Sequence, residues 1–407
     1  MASLNVSSRL APLRHSRFRL LFVAMFGSGI GNWLATIALS LDIYDRTHSG
    51  LWVGELLIAN ILPSVFIGLL LGPLVDRLSR KRLMIGSDLV RLAVFVALPF
   101  AGSAAGIVLL AAVAGVGAGF FRPAVLAGMP NLVDKDELPA ANALIQIIDA
   151  VSTAIGPLLG GLLVAISGPN LAYLVNAGTF AFSAALVAFI PARLLQSDRP
   201  ISRGQWSDLA EGYSVVKHSR ALTCVLVVWS GVMISGGVQN VAEVFLAKQS
   251  LSAGDFGYGL LWAGSGIGLV VGGLTAAPLV ERDIGAVYVR FIALFAVGLG
   301  CAAVAPNIWV ATLAMALSGF GNGGSLVANL TLVQRGAPDR VRGRVFTILI
   351  SANFAVLGLA FFAAGPLTNS YGARWAYAVA AGVAAVSSAA ALRFTRGIEP
   401  DLAPVGS

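Results

Sequence analysis

The chain has 407 residues, of which 57% are hydrophobic and only 11% charged. A soluble domain carries about 25% charged residues, so water does not solvate most of this surface. The net charge of +8 would suit a nucleic-acid-binding face, but the basic residues are spread along the chain in a pattern that excludes one.

Apolar stretches of about 20 residues are what a helix needs to cross roughly 30 Å of hydrocarbon. Twelve occur in order, at 20–42, 51–75, 83–101, 105–128, 140–166, 171–191, 221–245, 256–280, 287–304, 308–332, 345–365 and 374–394. The first is too long, and too poor in small residues at its end, for a cleavable signal. A polar stretch separates the sixth span from the seventh, so the expected organisation is a six-helix bundle over 1–195, a central loop over 196–219 and a second bundle over 220–407. Within the loop, Trp206 to Tyr213 reads as an amphipathic helix lying at a membrane surface. With the N-terminus placed in the cytoplasm, 22 of the 27 Lys and Arg fall in segments on that side. Only Arg46, Lys248 and Arg374 fall opposite, and Arg91 and Arg122 lie inside spans. That skew is the positive-inside pattern and predicts cytoplasmic termini.

The two halves resemble each other. Pro73-Leu74-Val75-Asp76-Arg77 returns 205 positions later as Pro278-Leu279-Val280-Glu281-Arg282. Gly115-Val116-Gly117-Ala118-Gly119 returns 204 later as Gly319-Phe320-Gly321-Asn322-Gly323, and Ala172-Tyr173 as Ala376-Tyr377. Long-period duplication in an apolar chain is a signature of transporters whose halves rock about a central site. Cys224 and Cys301 sit in apolar spans and read as packing residues. His15, His48 and His218 form no ligand cluster in the sequence. No phosphate-binding loop, nucleophile elbow or zinc motif is present, so the sequence shows no enzyme and calls for no cofactor or metal.

Between spans two and three the chain reads Gly72-Pro73-Leu74-Val75-Asp76-Arg77-Leu78-Ser79-Arg80-Lys81-Arg82. This resembles the loop signature of the major facilitator superfamily. Gly156-Pro157-Leu158-Leu159-Gly160-Gly161 in span five resembles the antiporter signature of that superfamily's exporters, with Ser152 where the pattern has a further glycine. Leu132 to Leu144, Leu209 to Tyr213 and Val341 to Phe346 resemble the bacterial branch that includes enterobactin exporters and macrolide-efflux proteins. The resemblance implies an all-α membrane protein of twelve helices in two pseudo-symmetric bundles, in the bacterial inner membrane. It implies a monomer that exports an amphipathic drug, siderophore or metabolite by alternating access with proton entry, an uptake symporter or facilitator being the alternative. Gly72, Asp76, Arg77, Arg80, Asp88 and Arg91 become a gating network at the loop. Two departures from the pattern are Ala111, where drug–proton antiporters carry an arginine, and Asn32, where relatives often carry an acid.

Ionisable groups at membrane depth cost about 2.5–3.5 kcal/mol even on permissive scales, so each needs a reason. Asp149 lies roughly 14 Å into span five at helical rise, on a stripe with Asn142, Gln146, Thr153, Gly156 and Gly160. Arg122 in span four is its expected partner. A carboxylate alternating between that arginine and a drier site would serve as a proton switch; a permanent structural ion pair is the other reading. Asp42 and Glu243, near the outer ends of spans one and seven, are further proton-coupling candidates unless interfacial water solvates them. Asn32, Thr36, Gln146, Asn240, Asn322 and Asn329 are candidate cavity residues. Sparse polar groups among apolar walls suit a bulky amphipathic cargo.

Overall fold

The computed structural model describes residues 10–70, 78–195, 214, 216–217, 219–338 and 341–396. Gly72, Asp76 and Arg77 of the loop signature and the Trp206–Tyr213 segment lie outside these residues. Among the described residues, twelve helices are long and apolar enough to cross a membrane. They are α1 (Ser16–Thr47), α2 (Gly50–Leu70), α3 (Arg80–Ala97), α4 (Ala104–Gly128), α5 (Leu138–Ser167) and α6 (Pro169–Ala188). The second six are α7 (Arg220–Phe245), α8 (Gly254–Val280), α9 (Ile284–Val304), α10 (Ile308–Gly336), α11 (Arg342–Tyr371) and α12 (Ala373–Thr395). No strand occurs among the described residues. Several helices outrun the apolar stretches. α1 continues past residue 42 to Thr47 because Asp42 and Arg46, one turn apart, pair with each other at 2.7 Å.

The chain divides into two compact units, one of Met1–Thr47 with Leu56–Ser202, the other of His48–Glu55 with Arg203–Ser407. In the first, α1 packs on α5 and α6, and α3 on α4 and α6; in the second, α7 packs on α11 and α12, and α9 on α10 and α12. The duplication is carried into local geometry at an offset of 204. α5 ends at Gly168 and α11 at Gly372, both with positive φ (73° and 83°), a region where only glycine escapes a side-chain clash. Ser103 caps α4 by accepting from the Gly106 N–H, and Asn307 caps α10 by accepting from the Val310 N–H.

The repeated glycine triplet shows why the sequence is written twice. A methyl on Gly115 or Gly119 would meet the backbone of α2 at Asn60 or Ser64, and one on Gly117 would meet α3 at Arg91 and Ser87. In the second unit, Gly319 and Gly323 lie against α8 at Ser265 and Leu269, and Gly321 against α9 at Phe291 and Phe295. One helix thus uses alternate glycines to approach two neighbours, the device that close helix packing in lipid requires. Gly156 and Gly160 do the same where α5 meets Trp33, Leu34 and Ile37 of α1, next to the buried Pro157 and Gly161.

The outer surface is apolar. Leu109, Ile166, Leu274, Val304 and Leu313 are each more than two-thirds exposed, as lipid-facing side chains are. Basic side chains at one end of the first bundle cap helix C-termini. Arg80 Nη1 donates to Ala127 O (2.9 Å) and Leu195 O (2.8 Å), Lys81 Nζ to Ala188 O (2.6 Å) and Arg17 Nη1 to Phe189 O (3.0 Å). Of the cysteines, Cys224 is buried as expected of a packing residue, whereas Cys301 is exposed.

Candidate transport site

A cavity of about 450 Å³ opens within the first bundle, lined by α1, α2, α3, α4 and α5. Its wall is mostly apolar, with Met25, Trp33, Phe121 and Ile148, and its polar groups converge from Ser28, Asn32, Arg91, Arg122 and Asp149. The dominant feature is an ion pair between helices. Arg122 Nη1 donates to Asp149 Oδ1 at 2.9 Å and Nη2 to Oδ2 at 2.7 Å, a two-pronged match of guanidinium to carboxylate. Asp149 is 37% exposed and Arg122 51%, so the pair stands in the cavity mouth and not in the core. The helices are built to present it. Thr153 bonds back to the Asp149 carbonyl at 2.8 Å, while Ser152, Gly156 and Gly160 turn the neighbouring face of α5 onto α1. The sequence placed Arg122 opposite Asp149, and the structure brings them together.

Asn32 lines this cavity and a smaller one of about 140 Å³, which Thr36 also lines. Thr36 donates to the Asn32 carbonyl at 2.9 Å. Gln146 is exposed on α5 but belongs to neither lining. Asn240 and Asn322 are half-buried in the second bundle. Asn329 departs from the expectation of a cavity residue: it is buried, and its Oδ1 accepts from Tyr288 OH at 3.0 Å across α9 and α10. The helical register chosen for that stripe kept Asn322 and Asn329 on one face, but the Tyr288 hydroxyl claims the second.

Asp88 and Arg91 also depart from expectation. The sequence assigned them to the loop network, yet both are buried in the bundle, Asp88 fully and Arg91 at 3% exposure. Arg91 Nη2 donates to Asp88 Oδ1 at 2.6 Å, Ser183 Oγ of α6 donates to Oδ2 at 2.7 Å, and Arg91 Nε donates to Ser87 O at 3.3 Å. The guanidinium lies 4.7 Å from the Phe121 ring centroid and 4.2 Å from that of Phe180. A cation held between two aromatic faces and a carboxylate needs no water. Both residues lie two to three turns inside α3; Gly72, Asp76 and Arg77, their expected partners, fall outside the described residues. Arg80, at the start of α3, does stay at the loop end.

Asp42 was expected near interfacial water or in proton coupling. It is 6% exposed, with Oδ1 bonded to Arg46 Nε at 2.7 Å and Oδ2 accepting from Tyr173 OH at 2.9 Å. Glu243 is fully buried in α7. The histidines held one surprise. His15 Nε2 lies 2.7 Å from Glu137 Oε2 and 3.9 Å from Asp134 Oδ2, a group that a separation of about 120 residues hid from the sequence. It ties the segment before α1 to the turn before α5.

Two six-helix units with a shared internal repeat, a lipid-facing exterior and a polar cavity within a bundle define a multi-pass transporter of small molecules. A family described as a transmembrane secretion effector matches residues 7–403, and the chain belongs to it and so to the major facilitator superfamily. The enterobactin exporter EntS of Salmonella paratyphi A is 30% identical over 353 residues, covering 81% of this chain and 80% of that protein. The multidrug efflux pump Tap of Mycolicibacterium fortuitum is 25% identical, covering 87% and 89%. Among solved structures, a bacterial homologue of the lysosomal transporter Spinster has a TM-score of 0.77 at 13% identity, covering 97% of this chain and 99% of that one. A bacterial homologue of the iron transporter ferroportin has a TM-score of 0.72 at 17% identity, covering 94% and 99%. At those identities they show a shared fold.

Proposed function

We propose that the protein is a proton-driven exporter that carries an amphipathic small molecule out of the bacterial cytoplasm by alternating access, acting as a single chain with both termini cytoplasmic. The observation that carries this reading is the exposed Arg122–Asp149 pair at the mouth of a largely apolar cavity. Apolar walls take up the body of a lipophilic cargo, and the few polar groups orient it. When Asp149 takes a proton it releases Arg122, whose five donors then meet either cargo or water. When the proton leaves, the two-pronged pair re-forms. Coupling follows if only one of these states accepts cargo, because a ligand shifts a conformational equilibrium by its difference in affinity between states.

The relatives' names support export, and enterobactin and multidrug substrates are the cargo classes to try first. A membrane potential of about 150 mV supplies roughly 3.5 kcal/mol per charge moved, enough for a concentration ratio of a few hundred. The test of direction uses energised cells and inside-out vesicles with enterobactin and fluorescent amphipathic dyes. Export predicts exclusion by cells and uptake by the vesicles, abolished by a protonophore. Accumulation in energised cells would overturn it.

A further inference from the structure

The second bundle buries one carboxyl that the transport site described above does not use. Glu243 of α7 has no exposed surface. Its Oε2 accepts one long bond from Gln239 Nε2 at 3.4 Å, one turn earlier on the same helix, and its Oε1 has no partner. Tyr377 of α12, also fully buried, has an unpartnered hydroxyl and lies near enough to Glu243 to sense a charge there. Among the described residues no cation is bonded to the carboxyl. Lys248, in the turn after α7, is bonded to Asp255 of α8 at 2.6 Å. Arg374 at the start of α12 donates to Ala303 O and Ala305 O. α10 from Ile308 to Gln334 and α11 from Val345 to Tyr371 contain no charged residue.

The first bundle shows a carboxylate with both oxygens bonded in this framework. Tyr377 repeats Tyr173 at the offset of 204, and Tyr173 bonds Asp42, whose other oxygen holds Arg46. In the second bundle the acid stands one turn nearer the helix centre, at Glu243, and the position matching Arg46 is Ser250. An ionised carboxylate enclosed without a cation or a full set of donors is strongly disfavoured, and in such places a group sheds its charge instead. A glutamate kept neutral for structure alone would ordinarily satisfy both oxygens; here one oxygen and the facing hydroxyl are left over.

We infer that Glu243, together with Gln239 and Tyr377, forms a proton-binding site of the second bundle, neutral while enclosed and ionised only when water reaches that end of α7. On the proton-driven reading this adds a second titrating carboxyl to Asp149, but the binding of the proton itself does not depend on export or on any cargo.

The test is pH-titrated infrared difference spectroscopy of the purified full-length protein in lipid, with no cargo present. The carbonyl stretch of a protonated carboxylic acid is lost as pH rises. The expected result is that this titrating band disappears in Glu243→Gln and persists in Asp149→Asn. A band unchanged in Glu243→Gln, or removed entirely by Asp149→Asn, overturns the inference and leaves the export reading standing. Should Glu243→Gln fail to fold, Tyr377→Phe provides the second arm. Removing the facing hydroxyl should shift both the band position and its titration midpoint, and an unshifted band would overturn the assignment.

Discussion

In α3 the first bundle buries Asp88 and Arg91, with Ser183 of α6 completing the carboxylate's bonds. At the positions 204 residues on, the second bundle has Ile292, Phe295 and Ser387. Arg122 and Asp149 are matched by Leu326 and Asn353, and Asn353 is buried with its Oδ1 unpartnered. The backbone register is the same in both, down to the glycines that let α4 and α10 approach their neighbours. Packing in lipid therefore fixes the glycines and helix caps twice, while charge is placed once. The first bundle holds three arginine–carboxylate pairs within its helices; the second has apolar residues at the positions of Asp88 and Arg91, a Lys248–Asp255 pair between the turn after α7 and the start of α8, and Glu243 with no bonded cation among the described residues. The difference assigns shape to what is repeated and chemistry to what is not.

The comparison breaks most visibly at Asp88. Asp88→Ala leaves Arg91 enclosed without its counter-ion and should cost about 3–5 kcal/mol, read as a large fall in melting temperature in detergent. Replacing both residues with those of the second bundle, as Asp88→Ile with Arg91→Phe, should bring stability back to within about 1 kcal/mol of the parent. If the double variant is as unstable as the single one, the pair is more than a substitute for apolar packing. Next comes the repeated shape. Gly319→Ala drives a methyl into the α8 backbone at Ser265 and should cost about 1–3 kcal/mol. Gly178→Ala, with nothing within 4 Å of the added carbon, should be silent by the same thermal assay. Arg46→Ala sharpens the contrast between the two tyrosine-linked acids. It leaves Asp42 with Tyr173 alone and should lower stability by about 1–2 kcal/mol, read by the same thermal assay. Smallest in stability is Asp149→Asn. An ion pair this exposed contributes about 0–1 kcal/mol, so the melting point should barely move even though the proposed coupling runs through it.

Much of the architecture was legible because the bilayer imposes it. Span length is a direct consequence of crossing hydrocarbon, and the offset between halves reappears in the glycines and helix caps. The Arg122–Asp149 pair was legible too, since two charges at membrane depth on adjacent spans have few other partners. Burial and rotational phase within a bundle were harder to read. Asp88 and Arg91 read as the start of a span beside the loop, and no local pattern signals the Phe121 and Phe180 rings that enclose the guanidinium. Asn329 was misread for want of Tyr288, 41 positions away. Gln239 holds Glu243, but a lone amide in an apolar helix gives no sign of which face turns inward. The His15 cluster is set by tertiary proximity alone.

Proton flux in proteoliposomes tests the central claim most directly. With purified protein reconstituted and a pH-sensitive dye inside, adding an exported cargo should drive proton movement opposite to the cargo. Asp149→Asn should bind the cargo and exchange it across the membrane while moving no protons. Cargo transport with no accompanying proton flux in the parent, or full coupling retained in Asp149→Asn, would contradict the account.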